Sequence, residues 1–179
     1  MATFILFWNP AISSWTLDRH RNLFVDEFER ADMNWSIWEH AKAHEGDTYV
    51  MVRCKNKPVP GKVNQYGKQV WEPFTDATTG ICMVGTFSAE PYQGEDWSGK
   101  GRVTYYADLD IDFLTDPEKN LILSTEELMA AIPEFDWKGG HSGRKLDDAS
   151  AEKLHAMLQK ALEEKKEQIW SPDIKVFVD

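Results

Sequence analysis

The chain has 179 residues, a formal net charge of −10 and eight tryptophans. That length allows one domain with a real hydrophobic core, and the acidity argues for solubility and against non-specific nucleic-acid binding. No apolar run approaches the roughly 20 residues that span a bilayer. The opening MATFILFWNP lacks the basic flank of a signal peptide. Cys54 and Cys82 lie in strand-like apolar runs, as buried thiols of a reducing compartment do. A cytoplasmic location with no membrane partner is expected.

TFILFW reads as a buried strand stopped at Asn9-Pro10. From about 17 to 31, Leu17, Leu23, Phe24, Phe28 and Ala31 recur among charges at helical spacing. Ser36 and Glu39 form a capping-box pattern for a helix from about 37 to 44, which Gly46 is placed to end. DTYVMVRC follows as a strand, with Tyr49, Met51 and Arg53 on one side and Val50, Val52 and Cys54 on the other. Residues 55 to 69, with two prolines and two glycines, read as a long loop or irregular hairpin.

GICMVGTFSAEPY reads as a central strand in which Gly85 marks a bulge or a close backbone approach. GRVTYYADLDIDFL is another strand. Ser124 and Glu127 cap a short helix ending at Pro133. Residues 147 to 170 form the clearest helix, with Leu154, Met157, Leu158, Ala161 and Leu162 as its apolar stripe. IKVFV near the end is an edge strand or a tail. Few, long central strands with helices predict an α/β (α+β) chain: a small curved sheet or barrel with packed helices.

Signals for catalysis are thin. His40 and His44, four apart on the predicted helix, face one way, but a zinc site needs more ligands than Glu39 and Glu45 supply, and a solvated helix face is the better reading. Asp108, Asp110 and Asp112 alternate along a strand and more often mark its wet face than a cation site. Neither GKGR nor GGHSGRK fits a phosphate loop, and G-x-S-x-G is absent. No metal and no cofactor is expected.

Charge and aromatic residues say more. Arg53, Lys55, Lys57, Lys62 and Lys68 form an acid-poor segment, Lys138, His141, Arg144 and Lys145 a second, and Lys100 and Arg102 a third. Gathered by the fold, they would make a groove that neutralises phosphates; otherwise they are three solvated loops. Trp8, Trp35 and Trp97 fall at element ends or in turns. Each is by itself more often core; as a set, a pair lining a pocket is expected, where a stacked base gains about 1–3 kcal/mol per contact.

The order of these pieces resembles the EVE family of PUA-like domains, related in fold to the YTH readers of methylated adenine in RNA and to ASCH domains. FILFWNP resembles the family's opening strand, and NWSIWEHAKAHEGDTYVMVRC its tryptophan loop, helix, Gly-Asp and second strand. GICMVGTFSAEPY resembles its G-I-x-x-x-G-x-x-x-x-x-P-Y strand, and RVTYYADLDIDFL the strand that follows. STEELMAAIPEF resembles the short helix, and HSGRKLDDASAEKLHAMLQKAL the closing S-G-x-x-L turn and helix. The resemblance covers about residues 3 to 162. It implies one EVE/PUA-like domain over 1–163, a small curved mixed sheet or pseudo-barrel, followed by a helix end and tail over 164–179. The chain departs from the family in its longer loop from Lys55 to Thr79 and in its net negative charge.

The resemblance implies a nucleic-acid-binding module that holds a flipped base, modified or not, in an aromatic pocket. Its partner would be single-stranded or flipped-base RNA or DNA. Trp35 would be a cage wall, with Trp38 pointing inward from the next helix turn. Ser36 would bond the base edge, unless it only caps the helix. Trp97 would be the second wall and Asn9 a polar reader, with Trp8 beside it. Arg53, Lys55, Lys100, Arg102, Arg144 and Lys145 would hold phosphates. Two alternatives stand against binding: an ASCH-like hydrolase of a nucleoside or small amide, pairing a lysine with a carboxylate, and a protein-interaction module using the aromatic surface.

Overall fold

A computed structural model describes residues 1–10, 13–24, 33–54, 58–71, 78–96 and 99–171. Three helices lie in these segments: α1 (Leu17–Asn22), α2 (Thr125–Ala131) and α3 (Asp148–Glu164). The strands are β1 (Thr3–Trp8), β2 (Asn34–Ser36), β3 (Thr48–Arg53), β4 (Pro58–Val63), β5 (Gln69–Trp71), β6 (Gly80–Phe87), β7 (Tyr92–Glu95), β8 (Val103–Leu114), β9 (Leu123–Ser124) and β10 (Arg144–Lys145). β4 and β5 form a separate hairpin with a shifted register, so for its described part, from residue 58 on, the 55–69 region is the irregular hairpin of the two readings. The second half of the helix expected over 17–31 and the IKVFV segment lie outside the described residues.

The other eight strands form one mixed sheet in the order β10-β1-β3-β6-β8-β2, with β7 on β8 and β9 on β6. β1 and β3 run parallel, in register from Thr3 opposite Thr48 to Trp8 opposite Arg53. The remaining pairs of this sheet are antiparallel. The result is a small α+β fold: a curled, mixed half-barrel with few helices.

Both faces of the central strands are buried, which explains their nearly unbroken apolar sequences. Phe4, Leu6, Tyr49, Met51, Met83 and Phe87 fill the inner face. Ile5, Val50, Val52 and Ile81 face outward and are covered by Leu154, Leu158 and Ala161 of α3 and Leu128 of α2. The alternation read from β3 therefore divides two cores. Arg53 is the exception, held at 3% exposure with Nη2 3.1 Å from the Glu118 carboxylate. Gly85 makes the expected close approach: an added Cβ would collide with the Asp110 carbonyl, and the β6–β8 register shifts at this point.

Two helix starts follow directly from side chains. Ser124 Oγ accepts from the Glu127 amide at 3.1 Å, and the Asp147 carboxylate accepts from the Ser150 amide at 2.9 Å. After α3 the chain returns to β8, where Leu114 and Trp170 exchange two backbone bonds of 2.9 Å and the Trp170 ring is 2% exposed. Among the described residues no helix is long and apolar enough to cross a membrane.

The 37–44 helix is not formed. Ser36 ends β2 opposite Tyr106, and only a short 3-10 turn, His40–Lys42, follows. Glu39 does not cap it: its carboxylate accepts from the Lys145 amide at 3.1 Å and from Lys42 Nζ at 2.6 Å. Ile37 prolongs the β2 pairing, its amide on the Tyr105 carbonyl at 2.8 Å, and is buried, while Trp38 begins a turn and is 59% exposed. The inward placement of Trp38 is corrected accordingly.

The curl is closed by backbone bonds between the segment after β2 and the one before β10. The Trp38 amide donates to the Ser142 carbonyl at 2.9 Å and the Glu39 amide to Gly143 at 3.0 Å. Gly143 has φ +87, and a Cβ there would strike the Ile37 and Trp38 backbone. The left-handed conformation penalises a side chain by about 1–2 kcal/mol, and overpacking costs a comparable amount. Gly143→Ala is therefore expected to destabilise the fold by roughly 3 kcal/mol, read as a lower urea midpoint at unchanged slope.

Candidate nucleic-acid interface

The seam opens on one side into a cleft of about 550 Å³. β1 contributes Phe7, with Asn9 just beyond it; β2 contributes Asn34, Trp35 and Ser36; and β8 contributes Tyr106. The loop before β10 adds Lys138, Gly139, Gly140, His141 and Ser142. The segment around α1 adds Ser13, Ser14, Trp15 and Arg19. Met33 and Cys54 complete the described lining.

Each wall is fixed by identifiable bonds. The Trp35 indole N–H donates to the Phe7 carbonyl at 3.1 Å, which ties the ring edge to β1 and leaves it half-buried. Ser142 Oγ accepts from the Phe7 amide at 3.0 Å, and the Gly143 amide donates to Ile5 at 2.8 Å. Arg144 stacks at 4.5 Å over Phe135 and donates to the carbonyls of Gly139, at 2.7 Å, and His141, at 3.1 Å. The glycine-rich loop is thereby stapled to β1.

Beneath the Trp15 wall lies a buried polar chain. His20 Nε2 is 2.8 Å from the Thr115 carbonyl, which can only accept, so this nitrogen carries the proton. Nδ1 then accepts from the Trp15 indole N–H at 3.4 Å, while the Trp15 carbonyl accepts from the Trp8 indole at 2.7 Å. Burial pushes the His20 pKa down to about 4, outweighing the bond to Thr115 and the nearby Asp116 charge.

The electrostatics of the cleft differ from those of the chain. Arg19 and Lys138 line it together with His141, and its described lining residues include no Asp or Glu. Arg19 lies over the Trp15 ring at 4.6 Å. An acidic protein thus presents a locally cationic cleft walled by aromatic rings and short polar side chains. Such a surface can take a flat ring bearing hydrogen-bonding groups and an attached anion.

The structure brings Asn9, Trp35 and Ser36 together on this cleft. Trp8 is corrected to the core: it is fully buried, its indole bonds to Trp15, and its ring stacks on His20 at 4.7 Å. Trp97 and Lys55 lie outside the described residues.

The described residues expected to hold phosphates are not gathered on the cleft. Arg53 is corrected to a buried ion pair with Glu118. Arg144 is committed to the loop it staples. Lys145 lies on β10 and Lys100 and Arg102 precede β8, and none of the three lines the cleft. Of the described arginines and lysines, those that line it are Arg19 and Lys138. Lys138 stood in the second basic segment, but Arg19 was masked by the alternating charges of its helix. His40 stacks on Tyr105 and His44 pairs with Glu90, so the two do not share a face.

The sequence matches no protein-family model, and no curated protein matches it.

His20 makes stability depend on pH. Between pH 6.5 and about 4 the unfolded histidine binds a proton that the folded one refuses, so stability rises with pH across that window. The contribution is fully present above pH 6.5 and is lost as pH falls toward 4. Its size is on the order of 3 kcal/mol. Urea midpoints measured from pH 7 to 4.5 should fall more steeply for the native chain than for His20→Gln.

Proposed function

We propose that this protein is a nucleic-acid-binding module of the EVE/PUA-like kind, which holds an unpaired or flipped base, modified or not, in the cleft between β1, β2 and the 138–142 loop. The observation that carries the reading is the union of an immobilised Trp35 wall with Arg19 and Lys138 in one cleft free of described acids. Trp35 offers the stacking face, Asn9 and Ser36 read the base edge, and the two cations hold its phosphates. A volume of about 550 Å³ accommodates a nucleotide.

The resemblance supports the same assignment, since the Trp35-Ser36 pair matches the Trp-Ser pair with which YTH domains hold a base. The curled mixed sheet is of the small curved kind that the resemblance implies. Cys54 and Cys82, buried as thiols and in no disulfide, agree with a cytoplasmic location. Modification of the base would add apolar contact with Trp35, and a partial positive charge would favour the indole face further.

Single-stranded RNA and DNA oligonucleotides, unmodified and carrying methylated or hydroxymethylated bases, test the reading by fluorescence anisotropy. Trp35→Ala should weaken binding by roughly tenfold or more, with the far-ultraviolet circular dichroism unchanged. Unaltered affinity in that variant would remove the base from this cleft. Conversion of a nucleoside during incubation would favour the hydrolase instead.

A further inference from the structure

Trp38 does not line the cleft, yet it is an exposed ring held flat by its neighbours. It is 59% exposed, while the other described tryptophans are buried or half-buried, leaving aside Trp71. One indole face lies on the His141 imidazole at 3.6 Å and 5°, the geometry of parallel stacking. At that exposure the opposite face is open to solvent. The backbone beneath it is fixed by the Trp38 and Glu39 amides on Ser142 and Gly143. A floppy surface tryptophan needs no explanation; one clamped flat with a face outward is a prepared surface.

His141 connects this surface to the cleft, since it lines the cleft and carries Trp38 on its ring. The neighbouring charges suit a polyanion. Lys138 and Arg19 lie along the cleft. Of the nearby acids, Asp136 accepts the Lys138 amide at 3.0 Å and Glu39 is engaged by Lys42 and the Lys145 amide; burial raises the Glu39 pKa, but those bonds and charges outweigh it and hold the carboxyl below its ordinary value.

We propose that Trp38, backed by His141, is the stacking platform for the base next to the one in the cleft, so that the ligand is a strand of at least two nucleotides and not a free nucleotide. This rests on the reading of the cleft as a base pocket. The first base enters beside Trp35. The backbone passes His141 and Lys138, and the second base lies on the open face of Trp38. Stacking of this kind tolerates any base, so the platform adds affinity and sets minimum length while the cleft makes the selection.

The test uses the full chain, native and as Trp38→Ala, Trp38→Phe and Trp35→Ala. The probes are the four nucleoside 5′-monophosphates and mixed-sequence single-stranded RNA and DNA decamers. Trp38→Ala should lower the ratio of decamer to mononucleotide affinity about tenfold, and Trp38→Phe should restore most of it. Equal losses for both probes would mean that Trp38 only supports the cleft, and would overturn the platform. An unchanged decamer affinity in Trp38→Ala would also overturn it, while loss in Trp35→Ala would leave the cleft reading standing. Failure of every probe to bind the native chain would overturn both.

Discussion

Ser142 and Gly143 are bonded on two sides at once, and the rest of the architecture depends on that. Toward β1 they meet the Phe7 amide and the Ile5 carbonyl; toward the segment after β2 they accept the Trp38 and Glu39 amides. These two residues join the two ends of a sheet that would otherwise present open edges. The approach is so close that the Gly143 position has no room for a Cβ. Buried backbone groups must find partners, and here one short segment supplies them to both edges.

The same closure creates the cleft. Trp35 and Ser36 precede the residues bonded to the seam, His141 and Ser142 form its other lip, and Phe7 is bridged by both, through its carbonyl to Trp35 and its amide to Ser142. The walls are therefore part of the scaffold and held before any ligand arrives, which lowers the ordering cost of binding. Beneath them, His20 kept neutral by burial stacks on Trp8 and accepts the Trp15 indole bond without placing a positive charge there. The acidity of the whole chain coexists with Arg19 and Lys138 at the cleft, so the positive charge there is local.

Much of the scaffold was legible because long buried strands and amphipathic helices have strong periods. β1, β3, β6 and β8 fall where apolar runs place them, and α2 starts at the Ser124 cap. The short pieces were not legible. β2 has three residues and β10 has two, too few to show alternation. The Ser36–Glu39 spacing imitates a cap, while Glu39 in fact serves the Lys145 amide, a partner distant in sequence.

The same limit governs the site. Trp35, Ser36 and Asn9 could be named because a family resemblance carried them, and they meet on the cleft. Trp8 looked like a wall because it ends a strand, but the inward face of β1 continues through it. Arg53 looked like a surface cation because its neighbours in sequence are lysines, whereas its strand carries it inside to Glu118. Arg19 gave no signal, since only the fold brings Trp15 and α1 to the 138–142 loop.

The most direct measurement is of the indole N–H resonances of the protein, labelled with nitrogen-15, during titration with a short single-stranded RNA and its DNA counterpart. If the cleft and its rim hold successive bases, the Trp35 and Trp38 signals shift together and saturate, while those of buried Trp8, Trp137 and Trp170 stay in place. Saturable binding that moves neither Trp35 nor Trp38, or no saturable change with any strand, would contradict the assignment of this cleft to nucleic acid.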